Sequence, residues 1–239
     1  MPFPYPTIPR PPGDYMDPFD NQAIEMSLVH NLFVRALNAI YAQAEGIRDD
    51  QAKAFAFFGM AYCAGVHHHH HIEETHLFPK YNEKLGANAM DQNVEQHHAF
   101  LDGLNDLEKY FKEVHAGTIP YNGATVIQKI DGFADDLILH LNEEIATLES
   151  SRMRAALTAE DLKDIEDTVK KIALKNVSFF KALPMGLVCH DKSSAPHWPP
   201  LPKALIWATQ YGLRWRYNDA WEFAPCDIFG NVRPGRGND

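Results

Sequence analysis

Two pairs of histidine and glutamate stand four residues apart in this chain, and they limit what it can fold into. One pair is His69 and Glu73, inside a run of five histidines, and the other is His140 and Glu144. On an α-helix, residues four apart lie on the same face, one turn from each other. Each pair can therefore direct an imidazole and a carboxylate to one point. Two such pairs on neighbouring helices predict a two-metal site in a helical protein.

The apolar residues between these pairs repeat at spacings of three and four, which is typical of amphipathic helices. We expect four long helices, joined by short loops that favour antiparallel neighbours. The predicted fold is an all-α, up-down-up-down four-helix bundle over residues 20–152. The predicted helices span residues 21–44, 50–78, 90–114 and 124–150, and Pro79 is expected to stop or kink the second of them.

Both flanks of the predicted bundle differ from it in composition. Residues 1–19 are rich in proline, which excludes a helix and predicts an arm that lies on a surface. In residues 153–239, Thr158 and Asp161 form a helix-capping signature that predicts a fifth helix to about residue 177. The remainder is rich in proline and tryptophan. We expect it to form a short helix over residues 202–217 and an irregular extension packed on the bundle.

Composition narrows the function classes. A formal net charge of −10 argues against nucleic-acid or anionic-membrane partners. No apolar run is long enough to cross a membrane, and the N-terminus lacks the pattern of a signal peptide. Three scattered cysteines do not form a disulfide framework. We expect a cytoplasmic protein with reduced thiols. The sequence does not indicate an oligomeric state.

The histidine run offers two registers for the predicted site. His69 and Glu73 continue the apolar face of the second helix, whereas His70 and Glu74 have the same spacing but are rotated by about 100°. The sequence therefore favours the first pair, and His70 is predicted to lie at the flank, towards solvent or behind the site. No role is assigned to the other histidines of the run, His67, His68 and His71.

The other predicted helices each present a histidine on the apolar face. These are His30 on the first helix, His97 on the third, and His140 together with Glu144 on the fourth. A lone histidine on such a face is more often a satisfied core residue than a ligand. Buried carboxylates, however, are costly unless they are paired or bind a metal. Four imidazoles and two carboxylates in one core together predict a metal site.

At these residues the chain resembles the hemerythrin-like, or HHE cation-binding, domain. The order and spacing of the elements agree over about residues 20–152. The resemblance is carried by His30-Asn31, His69-x-x-x-Glu73-Glu-x-x-Leu-Phe-Pro79, Glu95-Gln-His97 and His140-Leu-x-x-Glu144. The extension looks like that of fungal members through Cys189-His-Asp, Trp198-Pro-Pro-Leu-Pro202 and Trp221-x-Phe-Ala-Pro-Cys226-Asp.

The resemblance implies a bundle that holds two non-haem irons. Glu73 and Glu144 would bridge the two ions, and manganese and zinc also accept these ligand types. The ligands carried over from the family are His30, His69, Glu73, His97, His140 and Glu144.

One position departs from the oxygen-carrying members of the family. They have a further histidine four residues before the one matched by His97, and Asn93 stands there in this chain. Six ligands leave more open metal positions than seven, which argues against reversible oxygen carriage. The resemblance then favours an enzyme that uses O₂ or peroxide to oxidise a small organic substrate, in the manner of fungal members that accompany natural-product pathways. The alternative is a non-enzymatic protein for metal or O₂ binding, storage or sensing.

Overall fold

The computed structural model describes residues 3–175 and 178–237, and within these ranges the chain is helical, without strands. The isolated bridge between Cys226 and Val232 is antiparallel and belongs to the C-terminal extension. The helices are α1 (Asp20–Gln43), α2 (Asp49–Ile72), α3 (Phe78–Leu85), α4 (Asp91–Ala116), α5 (Gly123–Asp131), α6 (Ala134–Thr147), α7 (Ser150–Ala156), α8 (Ala159–Lys175), α9 (Ala182–Cys189), α10 (Lys203–Tyr211) and α11 (Asn218–Trp221).

Four of these helices close a ring around one core. Helix α2 packs on α4, α4 on α6, α6 on α1 and α1 on α2. Their inward faces bury large apolar side chains, including Phe55, Phe58, Leu104, Phe111 and Leu137. The prediction of an all-α fold is confirmed. No helix in the described part of the chain is long and apolar enough to cross a lipid bilayer.

The second predicted helix does not stop at Pro79. A turn of π-helix, Glu73–Leu77, follows α2 directly, and α3 then continues to Leu85. Proline has no N–H and its ring crowds the preceding turn, so a regular helix cannot run through it unchanged. The wider π turn accommodates this, and Pro79 stands in the first turn of α3, where a missing N–H does no harm. Of the two predicted outcomes at Pro79, a stop or a kink, the stop is therefore wrong, because helix continues to Leu85 after an irregular turn.

The fourth predicted helix is divided in two at Gly132 and Phe133. Phe133 has φ −142° and ψ −15°, outside the helical range, and its side chain is buried against α4. The opposing residue on α4 is Gly103, where an added Cβ would lie 2.6 Å from the Cβ of Phe133. This close contact fixes where α6 begins, and α6 carries His140 and Glu144.

The N-terminal arm, predicted as residues 1–19, is irregular over its described part, and residues 1 and 2 lie outside the described residues. Two asparagine side chains of α1 hold it. The Tyr5 N–H donates to Asn38 Oδ1 (2.9 Å), and Asn38 Nδ2 donates to the Tyr5 carbonyl (2.8 Å). Asn31 repeats the arrangement at Ile8, with distances of 2.7 and 2.9 Å. Each amide thus substitutes for a backbone partner, which extended chain otherwise lacks.

The C-terminal segments lie against the bundle. Thr158 and Asp161 form the predicted capping box, since the Thr158 N–H donates to the Asp161 carboxylate (2.9 Å) and the Asp161 N–H to Thr158 Oγ1 (3.1 Å). Helix α8 therefore begins where the sequence indicated, but the predicted end at residues 176–177 lies outside the described residues. Arg35 Nε donates to the Cys189 carbonyl (3.0 Å), which ties the extension to α1. The three cysteines are buried and not in disulfides.

Replacing Gly103 with alanine tests the contact that positions α6. Alanine in a helix interior normally stabilises by about 1 kcal/mol relative to glycine. Here the new methyl group would overlap Phe133, so we expect Gly103→Ala to lower the free energy of unfolding by about 1–3 kcal/mol. Chemical denaturation measures this. The matched control is Gly186→Ala in α9, where nothing lies within 4 Å of the added carbon. Equal stability of both variants would show that the contact does not position α6.

Candidate metal centre

Helices α1, α2, α4 and α6, together with the first residue of the π turn, bring seven side chains with metal-binding atoms into one cluster. Two groups of four share Glu73, and within each group the ligand atoms all lie within 4.8 Å of one another. Group one is His30, His69, Glu73 and Glu144, and group two is His70, Glu73, His97 and His140. All six residues predicted from the sequence are in the cluster.

The two carboxylates face histidines of both groups. Glu73 Oε1 is 3.0 Å from His69 Nε2, and its Oε2 is 3.7 Å from His97 Nε2. Glu144 Oε2 is 3.3 Å from His30 Nε2 and 3.4 Å from His140 Nε2. Both side chains are buried. A carboxylate in such a position can bind two cations at once and reduce their mutual repulsion.

The histidine rings are held from outside the cluster. His30 Nδ1 donates to the Leu141 carbonyl (2.7 Å), and His97 Nδ1 donates to Glu74 Oε1 (2.7 Å). His140 Nδ1 contacts Gln96 Oε1 at 3.3 Å. A proton on Nδ1 leaves the Nε2 lone pair free, and hydrogen bonds of this kind orient metal-binding histidines in general. The inward atoms of these three rings are therefore ready to bind a metal.

Two inward nitrogen atoms lie very close together. His97 Nε2 and His140 Nε2 are 3.0 Å apart, and the Nδ1 atom of each ring faces an oxygen acceptor. With a proton on each Nδ1, the two Nε2 lone pairs repel each other at this distance unless a cation lies between them. In addition, both oxygens of Glu73 and of Glu144, and Nε2 of His70, are buried without a hydrogen-bond partner. So many buried polar atoms without a partner lower the stability of the folded protein, and bound metal ions would provide the missing partners.

The burial of the cluster also favours the protonation states that metals require. Burial lowers the pKa of His69 to about 4 and those of His70 and His140 well below their usual range, so these imidazoles are neutral. Burial and the neighbouring Glu144 raise the pKa of Glu73 well above its usual range. Without cations, the two carboxylates cannot both be charged easily in so small a volume. The donor set therefore fits two metal ions.

His70 is the site residue that the sequence analysis missed. It was predicted to lie at the flank, but it is only 7% exposed and belongs to group two. The side chains of consecutive helical residues point in directions about 100° apart. The cluster is wide enough for His69 to lie in one group and His70 in the other. Glu74, the partner of His70 in the second register, accepts the hydrogen bond of His97. Two adjacent histidines, each with a glutamate four residues later, were the available signal.

The cluster thus contains seven ligand-type residues rather than six. Asn93 is buried, and its Nδ2 donates to Thr147 Oγ1 at 3.2 Å. His70 adds an imidazole to the six residues predicted from the sequence. The expectation that Asn93 leaves an additional metal position open was based on six ligands, and it stays a prediction.

The remaining histidines of the run lie outside both groups. His67 Nε2 is 3.8 Å from Glu108 Oε2, His68 lines a cavity described below, and His71 is exposed. Their positions follow the turn of α2, because only two of five consecutive helical residues can face one side well.

A cavity of about 380 Å³ reaches the cluster between α1, α2 and α8. At its inner end lie His69 and Glu73. The side chain of His69 is 15% exposed, whereas those of His30 and His140 are fully buried and that of His97 is 3% exposed. Of these four histidines, His69 is therefore the most accessible from solvent.

The fold and the cluster together define a helical-bundle protein built to bind metal cations. The family model of the hemerythrin HHE cation binding domain matches residues 25–149, and the chain belongs to this family. It is also 31% identical over 243 residues to the dimeric xanthone biosynthesis cluster protein R11 of Cryptosporiopsis sp. (strain 8999). That similarity covers 96% of this chain and 89% of the relative. No solved structure matches the chain.

His70→Ala tests the seventh residue of the cluster. The change removes an imidazole from group two, so we expect protein purified under iron-replete conditions to retain about half of its metal, or less, after dialysis. Elemental analysis per chain measures this. The control is His71→Ala, the exposed neighbour in the same run. If His70→Ala and His71→Ala retain equal metal, His70 is not a ligand.

Glu74→Gln tests the hydrogen bond that orients His97. Glutamine can still accept from Nδ1 but carries no charge, so metal affinity should fall by about 10–100-fold while the fold is kept. Competition with a chelator measures the affinity. Glu95→Gln, an exposed position on α4, is the matched control. Unchanged affinity in Glu74→Gln would mean that the Glu74 carboxylate does not support the metal centre.

Proposed function

We propose that this protein is a non-haem di-iron protein that uses O₂, or peroxide, to oxidise a small organic substrate. The observation that carries the proposal is the cavity that meets the metal-binding cluster at His69 and Glu73. An oxygen carrier needs room for O₂ alone. A cavity of about 380 Å³ beside the cluster is within the size range of small-molecule sites.

Iron is the proposed metal because five imidazoles and two carboxylates form a mixed nitrogen and oxygen donor set that suits it. Manganese and zinc would also fit the donors. When bound, the two irons supply the redox chemistry with O₂ that the side chains cannot supply themselves. Group one and group two would each hold one ion, with Glu73 shared and Glu144 facing both.

The side chains of this protein would contribute binding, orientation and exclusion of water. Leu141, Glu74 and Gln96 hold three imidazole rings in place from outside. The apolar wall of the cavity keeps water from the substrate end of the site. For a substrate oxidised by two electrons, O₂ would be reduced to hydrogen peroxide. Peroxide as the oxidant would be reduced to water.

The relative from Cryptosporiopsis supports a role in secondary metabolism. Its name places it in a biosynthesis cluster for dimeric xanthones, and the similarity extends over nearly the whole of this chain, including the extension beyond the family domain. We therefore propose fused-ring aromatic compounds, xanthone and hydroxylated xanthones among them, as first candidates for the substrate.

The test is O₂ consumption by iron-loaded, chemically reduced protein with and without a candidate substrate. We expect consumption that depends on the substrate, together with an oxidised product by mass spectrometry. His140→Ala should abolish both, because the ring is fully buried in group two, whereas exposed His98→Ala should leave both unchanged. Reversible O₂ uptake without net consumption would contradict the proposal and favour a carrier. Tight metal binding with no reaction towards O₂ would favour storage or sensing.

A further inference from the structure

The cavity beside the cluster has walls from two parts of the chain. Helices α1 and α2 of the bundle form one side, through Val29, Phe33 and Ile72. Helix α8 forms the other side, through Ile165 and Val169, and it lies outside the ring of four helices. The bundle thus supplies the metal-binding residues, and a later segment of the chain closes the space next to them.

The lining of the cavity offers little compensation for an anion. Lys170 is a lining residue, but its Nζ is 3.0 Å from Glu166 Oε1, so its charge is already paired. No arginine among the described residues lines the cavity. A carboxylate, sulfonate or phosphate ligand would therefore bury its charge against mainly apolar walls, which is costly.

Glu25, a lining residue of the cavity, accepts hydrogen bonds from both flanks of the bundle. Its Oε2 accepts from the Tyr15 hydroxyl (2.8 Å), and its Oε1 accepts from Trp198 Nε1 (2.9 Å). These donors belong to the N-terminal arm and the C-terminal extension. Burial raises the pKa of Glu25 despite these two hydrogen bonds, so its carboxyl group does not act as a fixed charge in the wall.

We propose that this cavity is the substrate pocket and that it binds an uncharged, largely apolar small molecule between Val29 of α1 on one side and Val169 of α8 on the other. That the bound molecule is a substrate rests on the proposed function, whereas its binding in the cavity does not depend on any reaction. Its size and its apolar walls fit such a ligand. Its inner end, at His69 and Glu73, puts the ligand next to the metal-binding cluster.

Fluorescence titration of the metal-loaded protein tests the pocket with two probes. The first is 1-aminoanthracene, which is uncharged at neutral pH. The second is 8-anilinonaphthalene-1-sulfonate, which has comparable aromatic area but carries a negative charge. We expect the uncharged probe to bind at least about tenfold more tightly, a difference of about 1.4 kcal/mol. Equal or tighter binding of the sulfonate would overturn the proposed charge selectivity.

Two substitutions fill the cavity from opposite walls. Val169→Trp on α8 and Val29→Phe on α1 should each weaken binding of 1-aminoanthracene by about tenfold or more, because the added rings occupy its space. Metal content should not change. The control is Asp167→Trp, which adds the same ring to an exposed position on α8 that does not line the cavity. Unchanged binding in both filling variants would overturn the assignment, and the second variant guards against misfolding of the first.

The two proposals fail in different ways. If the filling variants exclude the probe but the protein never consumes O₂ with any substrate, the pocket stands and the proposed oxidation is wrong. If the oxidation proceeds and Val169→Trp leaves its KM unchanged, the oxidation stands and this cavity is not the substrate pocket. A rise in KM with unchanged metal content supports both.

Discussion

The rest of this structure depends on two carboxylates buried among imidazoles. Glu73 and Glu144 are almost completely excluded from water, and their oxygens receive no hydrogen bonds. Such groups are among the most costly a core can contain, unless cations or donors compensate for them. The surrounding histidines direct ring nitrogens towards the same space. Every helix of the ring therefore contributes to an arrangement that makes physical sense once metal ions occupy it.

Local irregularities in the helices position these groups. A π turn begins at Glu73, shortly after His69 and His70, and within it Glu73 belongs to both groups and Glu74 accepts from His97. Turns of this type inside helices are often found at functional sites. The start of α6 is likewise set by a tertiary contact, that of Phe133 with Gly103. The site is thus built on rigid helices but adjusted at their breaks.

The segments that flank the bundle contribute to the cavity next to the metal-binding cluster. Helix α8 closes a cavity against α1 and α2, and the arm and the extension both donate to Glu25 in its wall. A four-helix bundle can hold metal ions in its core without these parts. In this chain the cavity next to the cluster has a wall from outside the bundle, formed by sequence that follows the family domain.

The sequence by itself determined the all-α bundle, the order of its helical segments and the six residues at His-x-x-x-Glu spacing or on apolar faces, because helical periodicity converts spacing directly into a shared face. It did not determine His70, since a rotation of about 100° looks unfavourable until the width of the cluster and its two centres are known. At Pro79 it left a stop and a kink open, because proline excludes a regular helix without specifying whether helix resumes after it. The cavity at His69 was decided only by the tertiary structure, since its walls come from segments that are adjacent in space and distant along the chain.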